Sequence, residues 1–458
     1  MKKNAFTVLF WCAVAATLAL WLINWWAGRS LFIDEANVAR NLYDRSFTGL
    51  FQPLDHQQYA GPLYLVLGKA AGELLGYREW ALRLPAFLGG LAALYALCLG
   101  NRSLRLGPWG ILTVLLLMVN AAGLRYVGEV KPYAMDLGMS AIILVLALRE
   151  NWSWRTWLPV GLIAPWLSLP AIFVLASVGV SGLFKLPARR RLGWSLTGAA
   201  WLLSFAVLRA LVLSPALGSA YLAEYHQRFF LPLPGADFSW SVLGSVLETI
   251  PKTAFGFTAF SLVIGTGLAF YGAIRTAPWR ACLLLSPTLF VLVASAGGYY
   301  SILPRLILFT LPGWWWLAVI GTRELPGRYW RGGALAAWLV VLVSANTLRH
   351  FVSPLDFSGV RGLVTQYDRA YRPVLHRAAV PGADYYWRIH PDYRLPNPPP
   401  FRTELSYVGR EVFLYGHSGG DPQGLTADIV TKGRGRGCKA RIEESKGLRT
   451  AIYLDCPD

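Results

Sequence analysis

Apolar stretches recur along the first 350 residues, and they limit the fold more than any other feature of the chain. The first runs over residues 5–27 without a charge. As a helix it can cross a bilayer, which takes roughly 20 apolar residues. Further spans read at 82–100, 107–121, 133–148, 155–168, 169–184, 194–213, 254–274, 280–296, 303–320 and 332–350. Only 15% of residues are charged, 55% are hydrophobic, and the mean hydropathy is +0.42. A soluble globular chain carries nearer a quarter charged. The pattern predicts a polytopic α-helical membrane protein. The first stretch is too long for a signal peptide's apolar region and no small-residue cleavage site follows it, so it reads as an uncleaved first helix.

The net charge of +18 points, in a membrane chain, to basic loops on one side and to anionic lipid rather than to nucleic acid. Residues 157–184 decide the topology. Pro165, Ser168 and Pro170 interrupt them, and splitting there gives about eleven spans. With the N-terminus in the cytoplasm, the inside segments are then short and rich in Lys and Arg, with Glu150 and Glu324 as their acidic residues. With ten spans, the Arg189-Arg190-Arg191 cluster would lie outside, against the positive-inside rule. The outside receives residues 28–81, residues 214–253 and the tail. The predicted division is a transmembrane module over 1–350 and a small mixed α/β extracytoplasmic domain over 351–458. Short amphipathic helices are expected in the first outer loop, at 35–50 and from Pro62 to about residue 75, lying at the interface. In the tail, 412–415 and 450–454 read as β-strands. Cys12, Cys98 and Cys282 fall in apolar spans and read as inert core. Cys438 and Cys456 lie in the polar tail, where a disulfide is plausible outside the cytoplasm. No Cys-x-x-Cys metal spacing occurs.

Four polar constellations stand at membrane boundaries on the outer side. Asp34-Glu35 follows the first span almost at once, and carboxylates there are costly unless used or solvated. The bland reading is a solvated helix start. The second, Asp55-His56-Gln57-Gln58-Tyr59-Ala60-Gly61-Pro62-Leu63-Tyr64, puts polar groups before a proline-initiated helix, whose free N–H groups suit an anion. It reads equally as a loop and a helix start. The third, Glu129-Val130-Lys131-Pro132-Tyr133-Ala134-Met135-Asp136, enters a membrane helix. Its Asp136 lies within an apolar run, where Lys131 or an arginine is the natural partner. In the fourth, Tyr299-Tyr300-Ser301-Ile302-Leu303-Pro304-Arg305, Arg305 could snorkel to head groups or clamp a phosphate. Four such groups on one face predict a cavity there.

These motifs, in this order over roughly residues 1–350, resemble the GT-C superfamily of membrane glycosyltransferases, of the family 39 kind. That group includes protein O-mannosyltransferases and the aminoarabinose transferase of lipid A. The matching residues are Asp34-Glu35, Pro62-Leu63-Tyr64, the Glu129–Asp136 segment and Arg305. Two departures stand out: Gly61-Pro62 where the family often has Pro-Pro, and Leu306 where a tyrosine often follows the arginine.

The resemblance implies a GT-C fold and an inverting transfer of a sugar from a polyprenyl phosphate to an envelope lipid, glycan or protein on the outer face. In that scheme Asp34 is the general base, and Lys131 and Arg305 bind the donor phosphate. Glu35, His56, Tyr59, Glu129, Tyr133 and Asp136 are supporting or sugar-binding groups. No cofactor is demanded by the sequence. Asp34 with Glu35 or His56 could supply ligands to a divalent metal, but nothing indicates one. The expected setting is a bacterial inner membrane, with the active site and tail periplasmic. The rivals are a flippase of lipid-linked glycans, a glycan polymerase or ligase, and a non-catalytic scaffold. A flippase would spread polar residues through the membrane depth, whereas here they cluster at one face. A polymerase would need a larger outer loop than 214–253.

Overall fold

The computed structural model describes residues 2–31, 33–214, 220–234, 238–256, 258–344, 359–416, 424–445 and 449–458. Its helices are α1 (Lys2–Trp26), α2 (Ile33–Asp44), α3 (Pro62–Leu75), α4 (Glu79–Leu82), α5 (Leu84–Ser103), α6 (Ile111–Val119), α7 (Ala121–Val127), α8 (Tyr133–Leu148), α9 (Trp154–Leu167), α10 (Ala171–Lys185) and α11 (Ala188–Leu208). They continue with α12 (Ala220–Gln227), α13 (Trp240–Phe255), α14 (Ala259–Arg275), α15 (Pro278–Ala296), α16 (Leu311–Glu324), α17 (Gly327–Ser344), α18 (Val360–Gln366), α19 (Val380–Asp384) and α20 (Leu425–Gly435). The strands are β1 (Arg372–Leu375), β2 (Arg410–Gly416), β3 (Lys439–Ser445) and β4 (Arg449–Asp455).

Among the described residues, four helices are long and apolar enough to cross a bilayer: Ala5–Trp26, Leu84–Ser103, Ala188–Leu213 and Pro278–Ala296. Two bent pairs, residues 107–119 with α7 and α13 with α14, would bring the number to six, and α8 and α10 are shorter apolar helices. The break expected between 168 and 169 is present, because Ser168 is extended and Pro170 precedes α10. A second break was not expected. Asn120 adopts an extended conformation and its side chain accepts the Gly123 N–H at 2.7 Å, which caps α7 and bends the segment by 64°. The helix expected at 303–320 begins only at Leu311, after an irregular stretch that holds Arg305. The one expected at 35–50 stops at Asp44, and a short 3₁₀ turn, Thr48–Phe51, follows. α3 starts at Pro62 as predicted, the residue whose missing N–H costs nothing at a first turn.

Two close approaches hold the bundle together. A methyl at Gly138 of α8 would strike the Gly89 carbonyl of α5, so these backbones touch. A methyl at Gly321 of α16 would strike the Leu268 carbonyl of α14 in the same way. At the centre, α16 buries Trp314, Trp315 and Trp316. Each indole N–H finds an acceptor, respectively Thr288 Oγ1 at 3.0 Å, the Ala254 carbonyl at 2.9 Å and Asn101 Oδ1 at 3.2 Å. Buried tryptophans usually need such a partner.

The sheet has the order β1-β2-β4-β3, with β1 parallel to β2 and β4 antiparallel to both its neighbours. Side chains alternate between its two faces. Val374, Phe413, Tyr415, Ile452 and Leu454 pack with Ile429 of α20. Leu375, Val412, Leu414, Ala451 and Tyr453 pack in one cluster with α18, with the Tyr385-Tyr386-Trp387 run and with apolar residues of α2 and α3. The sheet is therefore seated on the segment between α1 and α5. Cys438 and Cys456, beside β3 and β4, are joined by a disulfide. Of the cysteines expected in the core, Cys98 and Cys282 are part-buried, but Cys12 is exposed, on the α1 surface that a span turns to lipid.

Candidate active site

Asp34 and Glu35 share the first turn of α2 but meet opposite environments. Glu35 has no exposed surface. Its carboxylate accepts from Arg83 Nε at 3.1 Å and a terminal guanidinium nitrogen at 3.3 Å, and from the Val130 N–H at 2.8 Å. Arg83 also donates to the Arg29 carbonyl at 3.1 Å. Glu129 accepts from Arg125 Nε at 2.6 Å and lies 3.7 Å from an Arg29 nitrogen. The Gly128 carbonyl accepts from Arg29 as well. These buried ion pairs fix the loop between α7 and α8, and the loop presents Lys131.

Lys131 Nζ donates to Gln58 Oε1 at 2.7 Å and lies 3.7 Å from Asp34 Oδ2. Asp34 stays open, its side chain 48% exposed. Burial pushes the Lys131 ammonium below the ordinary lysine range; Asp34 opposes that and Arg305 adds to it. Lys131, Asp34 and Arg305 are thus electrostatic neighbours at one place. Arg305 donates to Tyr225 Oη at 3.0 Å. Beside it His226 Nδ1 lies 2.6 Å from Ser301 Oγ, and His226 Nε2 lies 3.5 Å from Tyr59 Oη. Burial, then Arg305, holds the His226 imidazole below its usual range, so the ring is neutral near pH 7. Tyr133, the first residue of α8, packs edge-on to Tyr126 with ring centres 4.8 Å apart. The result is a half-open carboxylate, two cations and a wall of tyrosines at one end of the bundle.

Two expected members stand apart. Asp136 is buried, with Oδ1 unpartnered, near Tyr64, Ser168 and Tyr300. Among the described residues no lysine or arginine pairs with it; Lys131, expected as its partner, is drawn to Gln58 and Asp34 instead. His56 is exposed in a left-handed conformation (φ 60°), and the charges around it are Arg40, Asp55, Asp384 and Asp44. It does not join Asp34. The metal set weighed from sequence is therefore not assembled, since Glu35 is committed to Arg83. Among the described residues no three His, Cys, Asp or Glu side chains converge on one point.

Gln58, Ser301, Tyr225 and His226 join the site without being among the residues expected in it. The first two stood inside quoted motifs. Tyr225 and His226 lie in α12, 75 to 167 residues from their partners, and carry no local signal.

The chain matches the crystal structure of ArnT from Cupriavidus metallidurans in the apo state, with 15% identity over 99% of this chain and 98% of that one and a TM-score of 0.56. It has the ArnT fold. The structure of that ArnT bound to undecaprenyl phosphate matches at 14% identity over 98% of both chains, with a TM-score of 0.55. No family model matches the sequence, and no curated protein matches it. These likenesses show the fold, and it agrees with the fold expected from the acidic loop, the helix start and the later arginine.

Proposed function

We propose that this protein is an inverting glycosyltransferase that moves a sugar from a polyprenyl phosphate to an envelope lipid, glycan or protein acceptor. The observation that carries the reading is the meeting of half-open Asp34 with Lys131 and Arg305. Undecaprenyl phosphate in a neighbour of the same fold supports the donor class. The acceptor hydroxyl gives its proton to Asp34 as its oxygen bonds to the anomeric carbon. The bond from that carbon to the phosphate oxygen breaks, and its electron pair leaves with the lipid phosphate. A positioned carboxylate suffices as base because the hydroxyl becomes strongly acidic only as the new bond forms. Lys131 and Arg305 meet the charge that develops on the leaving phosphate. Gln58, Tyr59 and Tyr133 orient these groups, and no step calls for a metal or cofactor.

With this reading go about eleven spans, a cytoplasmic N-terminus, a membrane module over 1–350 and an extracytoplasmic unit over 351–458, in a bacterial inner membrane. The test is transfer of radiolabelled sugar from a panel of polyprenyl-phosphate sugars into lipid and polymer fractions, comparing wild type with Asp34→Asn at equal protein level. Transfer in wild type that is lost in the variant is expected. Equal transfer in both removes Asp34 as the base. No transfer in either shifts the reading to a flippase, to be assayed next.

A further inference from the structure

A cavity of about 610 Å³ opens at the other end of the bundle from Asp34. α8 links the two places: it begins with Tyr133 and its sixteen residues, about 24 Å of helix, end just before Glu150. Glu150, Lys185, Arg189, Arg190, Trp152 and Trp194 are among the cavity's lining residues. Glu150 is the acidic residue of that lining and is already neutralised by Lys185 at 3.0 Å and Arg280 at 3.4 Å. Among the described residues the guanidinium groups of Arg189 and Arg190 have no acceptor. They stand in the first turn of α11, a turn without acidic residues, where the helix's own dipole is already positive. The arrangement concentrates positive charge in a hollow. Trp152, which lines it, keeps a buried indole N–H without a partner.

The hollow's flanks are apolar. Phe184 is 72% exposed on α10 and Leu192 is 72% exposed on α11, each next to a lining residue. A polar basic hollow bordered by lipid-facing side chains suits a phosphate that carries acyl chains better than a free anion. We propose that this cavity binds the phosphate headgroup of an anionic phospholipid, on the membrane face opposite the candidate active site. The site does not depend on what reaction the protein performs.

Gly193 gives a way to close the cavity without touching its charge. It is a lining residue, and a Cβ added there would meet no atom within 4 Å, so a larger residue can enter at this point without a backbone clash. The experiment is native mass spectrometry of the full chain in detergent, with phosphatidylglycerol and phosphatidylcholine added at equal concentration. Wild type retains phosphatidylglycerol preferentially. The Arg189→Gln/Arg190→Gln double variant and Gly193→Phe each lower that retention about tenfold or more, with unchanged melting temperature. A charge-matched control on another basic loop, Arg102→Gln/Arg105→Gln, keeps wild-type retention. Equal retention in wild type and both cavity variants overturns the site. Loss in the control as well reduces the effect to diffuse attraction and also overturns it. Displacement of the lipid by inorganic phosphate at equal concentration makes this a free-anion site and overturns the lipid assignment.

Discussion

Asp34 and Glu35 are neighbours in the chain, yet their substitution should give opposite phenotypes. Asp34 is half-open, and its contact with Lys131 is long, at 3.7 Å. Removing its charge should cost about 0–1 kcal/mol of stability, as for other part-exposed pairs. Asp34→Asn should therefore melt like wild type while sugar transfer falls roughly 10²–10⁴-fold, the contribution of a general base. Glu35→Gln removes the buried Arg83 guanidinium's hydrogen-bonded carboxylate and leaves the more distant Glu79 as its counter-charge, which should cost about 3–5 kcal/mol and appear as a lowered melting temperature. The Gln Oε1 can still accept from the Val130 N–H, so Lys131 keeps its setting and donor KM should change little. Wild-type melting for Glu35→Gln would remove that ion pair from the site's support. Lys131 gives a pH signature. Its burial favours the neutral amine, so its proton leaves at a lower pH than the ordinary 10.5. Donor affinity carried by the ammonium is then lost as pH rises, at a lower pH than for an ordinary lysine. The alkaline fall of kcat/KM should move upward in Lys131→Arg, because a guanidinium does not titrate there. An unmoved fall would assign it to another group.

At the scale of elements, α4 is only a single turn, Glu79–Leu82, yet it fastens the sheet-bearing segment to the first loop. Glu79 accepts from Tyr386 Oη at 2.9 Å and Arg361 at 3.1 Å, and lies 2.9 Å from His390 Nε2. Burial would raise its carboxyl, but the His390 hydrogen bond and charge win and take it from the ordinary 4.5 to about 2. The depressed value means that this stabilisation is full above 4.5 and is lost as pH falls towards 2. The melting temperature should decline through that window, and Glu79→Ala should flatten the decline while lowering melting at pH 7. A parallel decline in the variant would place the acid sensitivity elsewhere. Elements of this kind were only partly legible in the chain. Pro62 announced α3, and the prolines around Ser168 announced the break before α10, because proline acts locally on the backbone. The Asn120 break was hidden among apolar residues, since a cap is one side chain. Arg305 was legible as a cation at a boundary, but not as part of an irregular turn. Asp136 misled, because an intramembrane carboxylate reveals its charge and not its partner. Glu35–Arg83, Arg305–Tyr225 and Glu79–His390 join distant segments, and no local pattern encodes them.

For the whole molecule, the charge asymmetry of the loops and the two ends of α8 make one claim that can be measured. Asp34, Lys131 and Arg305 lie at the end where α8 begins, and Glu150, Lys185 and Arg189 lie where it ends. Basic loops remain on the cytoplasmic side during insertion, so the first end should be extracytoplasmic. Cysteine accessibility tests this with a membrane-impermeant thiol reagent on intact cells. Cys12, Cys98 and Cys282 are replaced by serine, and Cys438–Cys456 is left paired. Ser46→Cys, at an exposed position just after α2, should label in intact cells. Asn151→Cys, exposed beside the basic cavity, should label only after the membrane is opened. The opposite pattern would invert the protein and move Asp34 to the face where nucleotide sugars are present, which would replace the lipid-linked donor. Labelling of both positions in intact cells would mean that α8 does not separate the two faces, and neither the eleven-span topology nor the cytoplasmic lipid site would survive it.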